Sequence, residues 1–390
     1  MIAEQPQGDD MKSWRDDPRS ETNPLFNSNR LKLGTFGTNG GGVAMTTAPE
    51  AARARWADCE SAALAADACG IEAQVPFARW KGYVSEHPDH RSGQAFDCYT
   101  WAAAHAQMTK RSAIFATSHV PTIHPLMAAK QCATIDHISE GRFGLNVVAG
   151  WNKPELDMFG ASMREHEGRY EQAAEWIEVL DKLWTHGEAF DFEGKFYRLS
   201  RAISMPRPLQ APRPPIMNAG TSEVGRHFAA KYADLAFVIL TSEDPDQIRA
   251  QVRAYKELAA KEYGRDIQIW SYGFVIQRDT FAEAQRFFDY YVHEKGDEEA
   301  VEGWMKLQGM HAHILPAGQL EVLRSRFKAG GGGVPLMGTP DQITQKLSML
   351  SACGVDGMLL SWLNYEDGIQ RLAAEVLPRL VHAGLRQAAT

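Results

Sequence analysis

Asn146 is a polar residue in an apolar place. It lies inside the run Phe143 to Val148, which ends in Ala149-Gly150-Trp151. Burying an amide without partners costs about 1–3 kcal/mol. A neighbouring strand, a water or a ligand must therefore meet it, and a satisfied structural asparagine is the plain alternative. A second candidate is Gly220-Thr221-Ser222, a glycine and hydroxyl turn that leads directly into Glu223-Val224-Gly225-Arg226. Free N–H groups at a helix start, with hydroxyls beside them, hold a phosphate. Ser222 equally suits the N-cap of that helix. Histidines stand at His119 and His124, and at His311 and His313, while His166 and Glu167 are adjacent rather than spaced as HExxH. No metal-ligand spacing, GxSxG elbow or cluster of acid pairs accompanies them, so each reads first as an ordinary histidine.

The elements that must position these residues alternate. Strands are predicted over 31–37, 71–77, 112–120, 142–148, 215–220, 234–240, 268–276 and 356–363. Helices are predicted over 56–69, 96–108, 125–138, 164–184 and 223–231, around Ile248–Leu258, and from the last strand to about His382. In the helix over 164–184, Tyr170, Ala173, Ala174, Ile177, Leu180 and Trp184 share one face at a spacing of three to four. A hairpin is expected over 189–199.

Eight strands separated by helices are the order of a (β/α)8 TIM barrel with insertions. A doubly wound sheet also alternates, but no GxGxxG follows any strand. The expected organisation is an arm over 1–29, flexible or ordered on a partner subunit, and a single barrel over 30–385, interrupted by an insertion at about 281–335. That insertion ends in Gly330–Gly333, which suits either the hinge of a lid or a surface loop.

In such a barrel the carboxyl ends of the strands share one mouth, where the site lies. Thr38-Asn39, Ala78-Arg79-Trp80-Lys81, Thr117-Ser118-His119, Gly150-Trp151, the Ala219–Ser222 turn, Thr241-Ser242 and Ser361-Trp362 all follow strands. Small residues there let a flat ligand approach the backbone, and aromatic ones stack on it. Trp80, Trp151 and Trp362 are candidates for its walls, with core packing as the alternative for each.

The formal charge of −8 argues against a nucleic-acid partner. No apolar run approaches the roughly 18 residues of a membrane span. The first two dozen residues are polar and carry no apolar core of a secretory signal. Five scattered cysteines without a CxxC pair suit free thiols in a reducing compartment, so a cytoplasmic location is expected.

Several segments carry a resemblance: VPFARWKGY (75–83), IFATSHV (114–120), HPLMAAKQCATIDHISEGRFGLNVVAGWNKPELDMFG (124–160), REHEGRYEQAAEWIEVLDKLW (164–184), FDFEGKFYRL (190–199), PRPLQAPRPPIMNAGTSEVGRHFAA (206–230) and LMGTP (336–340). Together they resemble the bacterial luciferase-like flavin monooxygenases. Within these, the chain is most similar to the group holding the pyrimidine and dimethyl sulfone monooxygenases. The likeness spans about residues 31–380.

The resemblance implies a barrel that binds reduced FMN at its mouth. Ala78 and Arg79 match the turn beside the flavin ring, Asn146 the amide that contacts it, and Glu155 an acidic pocket residue. Arg169 and Tyr170 match a pair near the phosphate or ribityl chain. Ser222, with Gly220 and Thr221, matches the phosphate loop, and Trp151 belongs to the same pocket. Thr117 and Asn146 fill the positions proposed to hold dioxygen beside flavin N5. The implied activity is an FMNH2-dependent, two-component monooxygenase that inserts one oxygen atom from O2 into a small organic substrate through a flavin-N5-peroxide.

A separate NAD(P)H:flavin reductase is implied, since the chain has no nicotinamide fingerprint, and so is a homodimer or homotetramer. His119 or His124 is the candidate general acid or base, because histidine titrates near neutrality. The stretch Ser118-His119-Val120-Pro121 and the insertion depart from the relatives and bear on the substrate. Two other readings stand beside this one: an F420-dependent oxidoreductase on the same barrel, and a non-catalytic flavin-binding protein.

Overall fold

The computed structural model describes residues 13–84, 86–309 and 317–388. Eight parallel strands close a barrel: β1 (Lys32–Phe36), β2 (Ala73–Val75), β3 (Ala113–His119), β4 (Phe143–Val148), β7 (Ile216–Asn218), β8 (Leu235–Phe237), β9 (Gln268–Gln277) and β11 (Gly357–Ser361). Closure comes from β11, which pairs with β1 on one side and β9 on the other. These are the eight strands expected from the alternation. An antiparallel hairpin of β5 (Phe190–Glu193) and β6 (Arg198–Ala202) lies outside the barrel, as its alternation suggested. The remaining strand, β10 (Val334–Gly338), was not anticipated. It pairs only with the outer half of β9, from Val334 beside Gly273 to Gly338 beside Gln277, so that Pro335 stands on an edge.

The barrel strands are buried on both faces, which accounts for their near-continuous apolar runs. Ala73, Val75, Ala113, Phe115, Met217, Leu235, Trp270 and Leu359 fill the interior. Helices Trp56–Ala68, Cys98–Met108, Pro125–Ile138, His166–Thr185, Glu223–Tyr232, Pro245–Tyr263 and Pro340–Ala352 surround it. Trp176, Ile177, Leu180 and Trp184 of the helix His166–Thr185 pack in the outer layer, as the spacing required. The last helix is not continuous: Tyr365–Arg371 passes through a wider turn at Leu372–Val376 into Leu377–His382, which carries Pro378 in its first turn.

The flexible arm expected over 1–29 is corrected for its described part. From Ser13 onward the chain packs under the barrel, with Trp14, Leu25 and Phe26 buried. Asn23 donates to the Phe143 carbonyl, and Gln268 donates to the Leu25 carbonyl at 2.7 Å. Leu25 and Phe26 pack into the interior cluster and so plug the amino ends of the strands, with hydrogen bonds running in both directions between segment and strands. Residues 1–12 lie outside the described residues.

The insertion is helical over Phe281–Phe288, Glu298–Leu307 and Ala317–Gly330. Its glycine tract forms a packed turn rather than a free hinge. Gly331 and Gly332 have φ of 60° and 83°, and a Cβ on Gly333 would lie 2.7 Å from the Tyr272 ring. Positive φ and close approach to that ring explain the glycines. His311 and His313 lie outside the described residues.

Candidate active site

The carboxyl ends of the strands enclose a cavity of about 510 Å³. Its floor is apolar, made by Phe36, Val75, Met217, Phe237 and Leu359. Thr117 and Asn146 face it from neighbouring strands, opposite one another in the β3–β4 register. Asn146 Nδ2 donates to Thr117 Oγ1 at 3.1 Å, and the Thr117 hydroxyl donates to the Pro76 carbonyl. A hydroxyl has one proton, so Thr117 Oγ1 must accept from the amide. This fixes the amide's orientation and leaves Asn146 Oδ1 buried, with no partner among the described residues. A neighbouring strand therefore meets half of Asn146, and the other half is available to the cavity.

Glu155, on the short helix Lys153–Met158, is fully buried. Its Oε1 accepts from Trp80 N at 2.9 Å and Lys81 N at 3.2 Å, which fixes the turn after β2. Arg79 Nε lies 3.6 Å from the same oxygen, and His119 Nδ1 lies 3.7 Å from Glu155 Oε2. Arg79 Nε and Nη1 are buried without hydrogen-bond partners among the described residues. The Arg79 guanidinium sits 4.4 Å from the Tyr83 ring centroid and 5.7 Å from that of Trp151. Burial, with the Arg79 charge beside it, pushes His119 down to about 4. The ring is therefore neutral near pH 7, able to accept a proton or donate a neutral N–H.

At the other end of the cavity stand His166, Arg169, Tyr170 and Thr221. Ser222 Oγ accepts from Gly225 N at 3.1 Å and caps the helix Glu223–Tyr232. A Cβ on Gly220 would lie 2.1 Å from the Gly225 carbonyl oxygen, so only glycine lets the turn fold onto the first turn of the helix. Arg169 donates from Nη1 to the Gly150 carbonyl, while its Nε has no partner among the described residues. Burial raises the Tyr170 phenol above its ordinary value, which keeps it protonated.

Of the expected residues, Thr117, His119, Asn146, Ala78, Arg79, Trp151, Arg169, Tyr170 and Thr221 line this cavity. Gly220, Ser222 and Glu155 shape it from behind. His124 does not reach it: exposed, it caps helix Pro125–Ile138 by accepting from Leu126 N. Trp362 is buried in the outer layer, and Trp80 is exposed beside His119 and Phe159, so of the three tryptophans Trp151 lines the cavity. Sequence reasoning missed Phe36 and Phe237, although both stand at strand ends. It also passed over His166 and Gln308, which no spacing signals.

The residues present suit a flavin mononucleotide. An apolar floor, an amide with a free oxygen, an unpartnered Arg169 Nε and a hydroxyl-rich helix start lie around one cavity. Its size is within the range of cofactor sites, about 300–1,000 Å³.

The luciferase-like monooxygenase family model matches residues 31–357. The FMNH2-dependent dimethylsulfone monooxygenase of Pseudomonas putida is 35% identical over 259 residues, covering 65% of this chain and 70% of that protein. The pyrimidine monooxygenase RutA of Allorhizobium ampelinum is 29% identical over 321 residues, covering 79% and 84%. The crystal structure of DmoA from Hyphomicrobium sulfonivorans superposes with a TM-score of 0.80 at 21% identity, covering 93% and 90% of the two chains, and so shares the fold. The chain belongs to the luciferase-like monooxygenase family. By that membership it is a flavin-dependent monooxygenase in class.

No described helix is long and apolar enough to cross a membrane. Among the described residues, no group of three or more His, Cys, Asp or Glu side chains is placed to hold a metal ion.

Proposed function

We propose that the chain is the oxygenating component of a two-component system. It takes reduced FMN from a separate NAD(P)H-dependent reductase, binds it at the barrel mouth, and inserts one oxygen atom of O2 into a small organic substrate. The observation that carries this reading is the Thr117–Asn146 pair, a buried and oriented amide left half-partnered at the mouth. Reduced flavin, when bound, supplies the two electrons that let one oxygen atom enter the substrate and the other leave as water.

The chain's own residues bind, orient and exclude water. The capped helix start at Ser222, with Thr221 and Arg169, suits a phosphate. Phe36, Phe237 and Met217 offer an apolar bed for a flat ring system. Asn146 keeps one N–H and Oδ1 for ligands. In a site shielded from water, a preset N–H stabilises negative charge that develops on oxygen. Thr117 is a positioning residue, since its only proton is spent on Pro76. Neutral His119 is the candidate proton acceptor, held near the carboxylate of Glu155. The same reading expects a cytoplasmic homodimer or homotetramer, which light scattering on the purified chain checks.

The deciding experiment supplies the protein with FMN, a flavin reductase and NADH, and follows oxygen uptake as small substrates are added. Substrate-dependent uptake with one oxygen atom in the product supports the proposal. Failure to bind FMN, together with binding of F420, moves the assignment to deazaflavin hydride transfer. FMN binding without turnover on any substrate leaves a flavin carrier.

A further inference from the structure

A second chamber, of about 200 Å³, opens beside the barrel mouth. The two spaces share Phe36, Phe77, Arg79 and Trp151 as common wall. A dry cavity of about 150 Å³ suffices for a benzene ring. The chamber therefore holds one ring with a substituent, and is too small for a tricyclic flavin with its phosphate tail. Its walls come mainly from the loop after β1, the loop after β2 and the insertion, with Phe36 at the end of β1 and Trp151 after β4. Tyr83, Trp151 and Trp304 supply aromatic surface, and Trp304 is held by Phe327, with ring centroids 3.7 Å apart.

The polar groups that line the chamber are mostly spent. His90 Nε2 meets Asp297 Oδ2 at 3.0 Å and His90 Nδ1 meets Ser92, which ties the β2 loop to the insertion. Asp297 Oδ1 accepts from Ala300 N. The Arg91 guanidinium is committed to the carbonyls of Gly41, Thr46 and Ala52. Arg79 differs. Its side chain is 10% exposed, and its Nε and Nη1 have no hydrogen-bond partner among the described residues. Glu155 offsets its charge from 3.6 Å, but Oε1 already accepts two backbone N–H groups, and no hydrogen bond joins the pair. A buried guanidinium with two unspent donors, beside a ring-sized aromatic chamber, calls for an anionic acceptor, and its planar fork matches an oxyanion.

We propose that this chamber is the substrate pocket, and that it takes a small aromatic molecule bearing a carboxylate or sulfonate, whose oxygens are held by Arg79. The inference rests on the proposed occupation of the neighbouring mouth by FMN. Arg79 at the shared wall sets the anionic end of the substrate against that mouth, while Tyr83 and Trp304 enclose its ring.

The test holds FMN saturating and measures binding of benzoate, benzenesulfonate, neutral benzamide and neutral methyl phenyl sulfone by calorimetry. At least one anion should bind about tenfold or more tighter than either neutral probe, the size of one charge-assisted hydrogen bond. The better anion separates carboxylate from sulfonate. Arg79→Met should bring the anion-to-neutral ratio close to unity, and Arg79→Lys should restore part of it. Ala44→Phe, which fills the chamber, should weaken all four probes. Neutral probes binding as tightly as the anions, or a preference that survives Arg79→Met, would overturn the proposal. So would an Arg79→Met chain that folds but no longer takes FMN. FMN binding by the unaltered chain is read separately, from quenching of flavin fluorescence. Its failure sinks the cofactor reading, whereas FMN binding without anion preference sinks only the substrate class.

Discussion

The Thr117 hydroxyl decides what Asn146 can do. With its proton donated to Pro76, it forces the amide to present Oδ1 and one N–H to the mouth. Asn146→Ala should still bind FMN but lose about 10²–10³-fold in turnover, as when an oxyanion-hole donor is removed. Parallel FMN titration and oxygen uptake check this, and normal turnover would end the assigned role. Thr117→Val should cost about 1–3 kcal/mol in denaturant unfolding, because the Pro76 carbonyl loses its partner. Thr117→Ser should restore both stability and turnover.

His119 gives a pH prediction at the same scale. Its folded pKa is about 4, against an ordinary value of 6.5. Between those values the unfolded chain binds a proton that the folded chain does not. Stability contributed by the neutral ring is therefore full above the upper value and falls as pH drops through the window, by up to about 3 kcal/mol. His119→Gln should flatten that part of the stability curve. The native enzyme should show no inflection in rate near pH 6.5 from this residue.

At the start of the helix Glu223–Tyr232, Ser222 joins a capping role to the proposed phosphate-binding one. Ser222→Ala should cost about 1 kcal/mol through the lost cap. It should also weaken FMN more than riboflavin, which lacks the phosphate, and comparing the two affinities separates the roles. Much at this scale was legible. The eight barrel strands and the helix over 164–184 follow from apolar runs, turn residues and a spacing of three to four. The Ser222 turn could be placed because glycine, hydroxyl and helix are neighbours in sequence. What escaped was set by distant partners. β10 is short, carries Pro335 and follows a glycine tract, so only its pairing with β9 makes it a strand. The His90–Asp297 contact joins residues 207 positions apart. His124 looked like a site residue from its place after β3, and local capping geometry turned it outward.

Across the whole molecule, Asp234 fastens the amino-terminal segment to the barrel. Arg213 meets it at 2.7 Å, Arg19 at 3.2 Å and Arg265 at 3.4 Å. Burial alone would raise its pKa, but the three guanidinium groups outweigh that and hold it well below the carboxylate range. Its contribution is present above the ordinary carboxylate pKa and is lost as pH falls towards the depressed folded value. Asp234→Asn should destabilise by about 3 kcal/mol at neutral pH, because three guanidinium groups then lose the carboxylate they share, with Asp17 and Asp181 left to pair only Arg19 and Arg213. A chain lacking residues 1–22 should melt several degrees lower in calorimetry, since Trp14 and Arg19 go with it. The pairing of β10 with β9 has another consequence. The insertion leaves from one strand of this pair and returns along the other, so both its ends are anchored on the outer half of β9. A lineage can exchange, lengthen or reshape that segment like a cartridge, renewing what the enzyme accepts while the oxygen chemistry beneath is inherited intact.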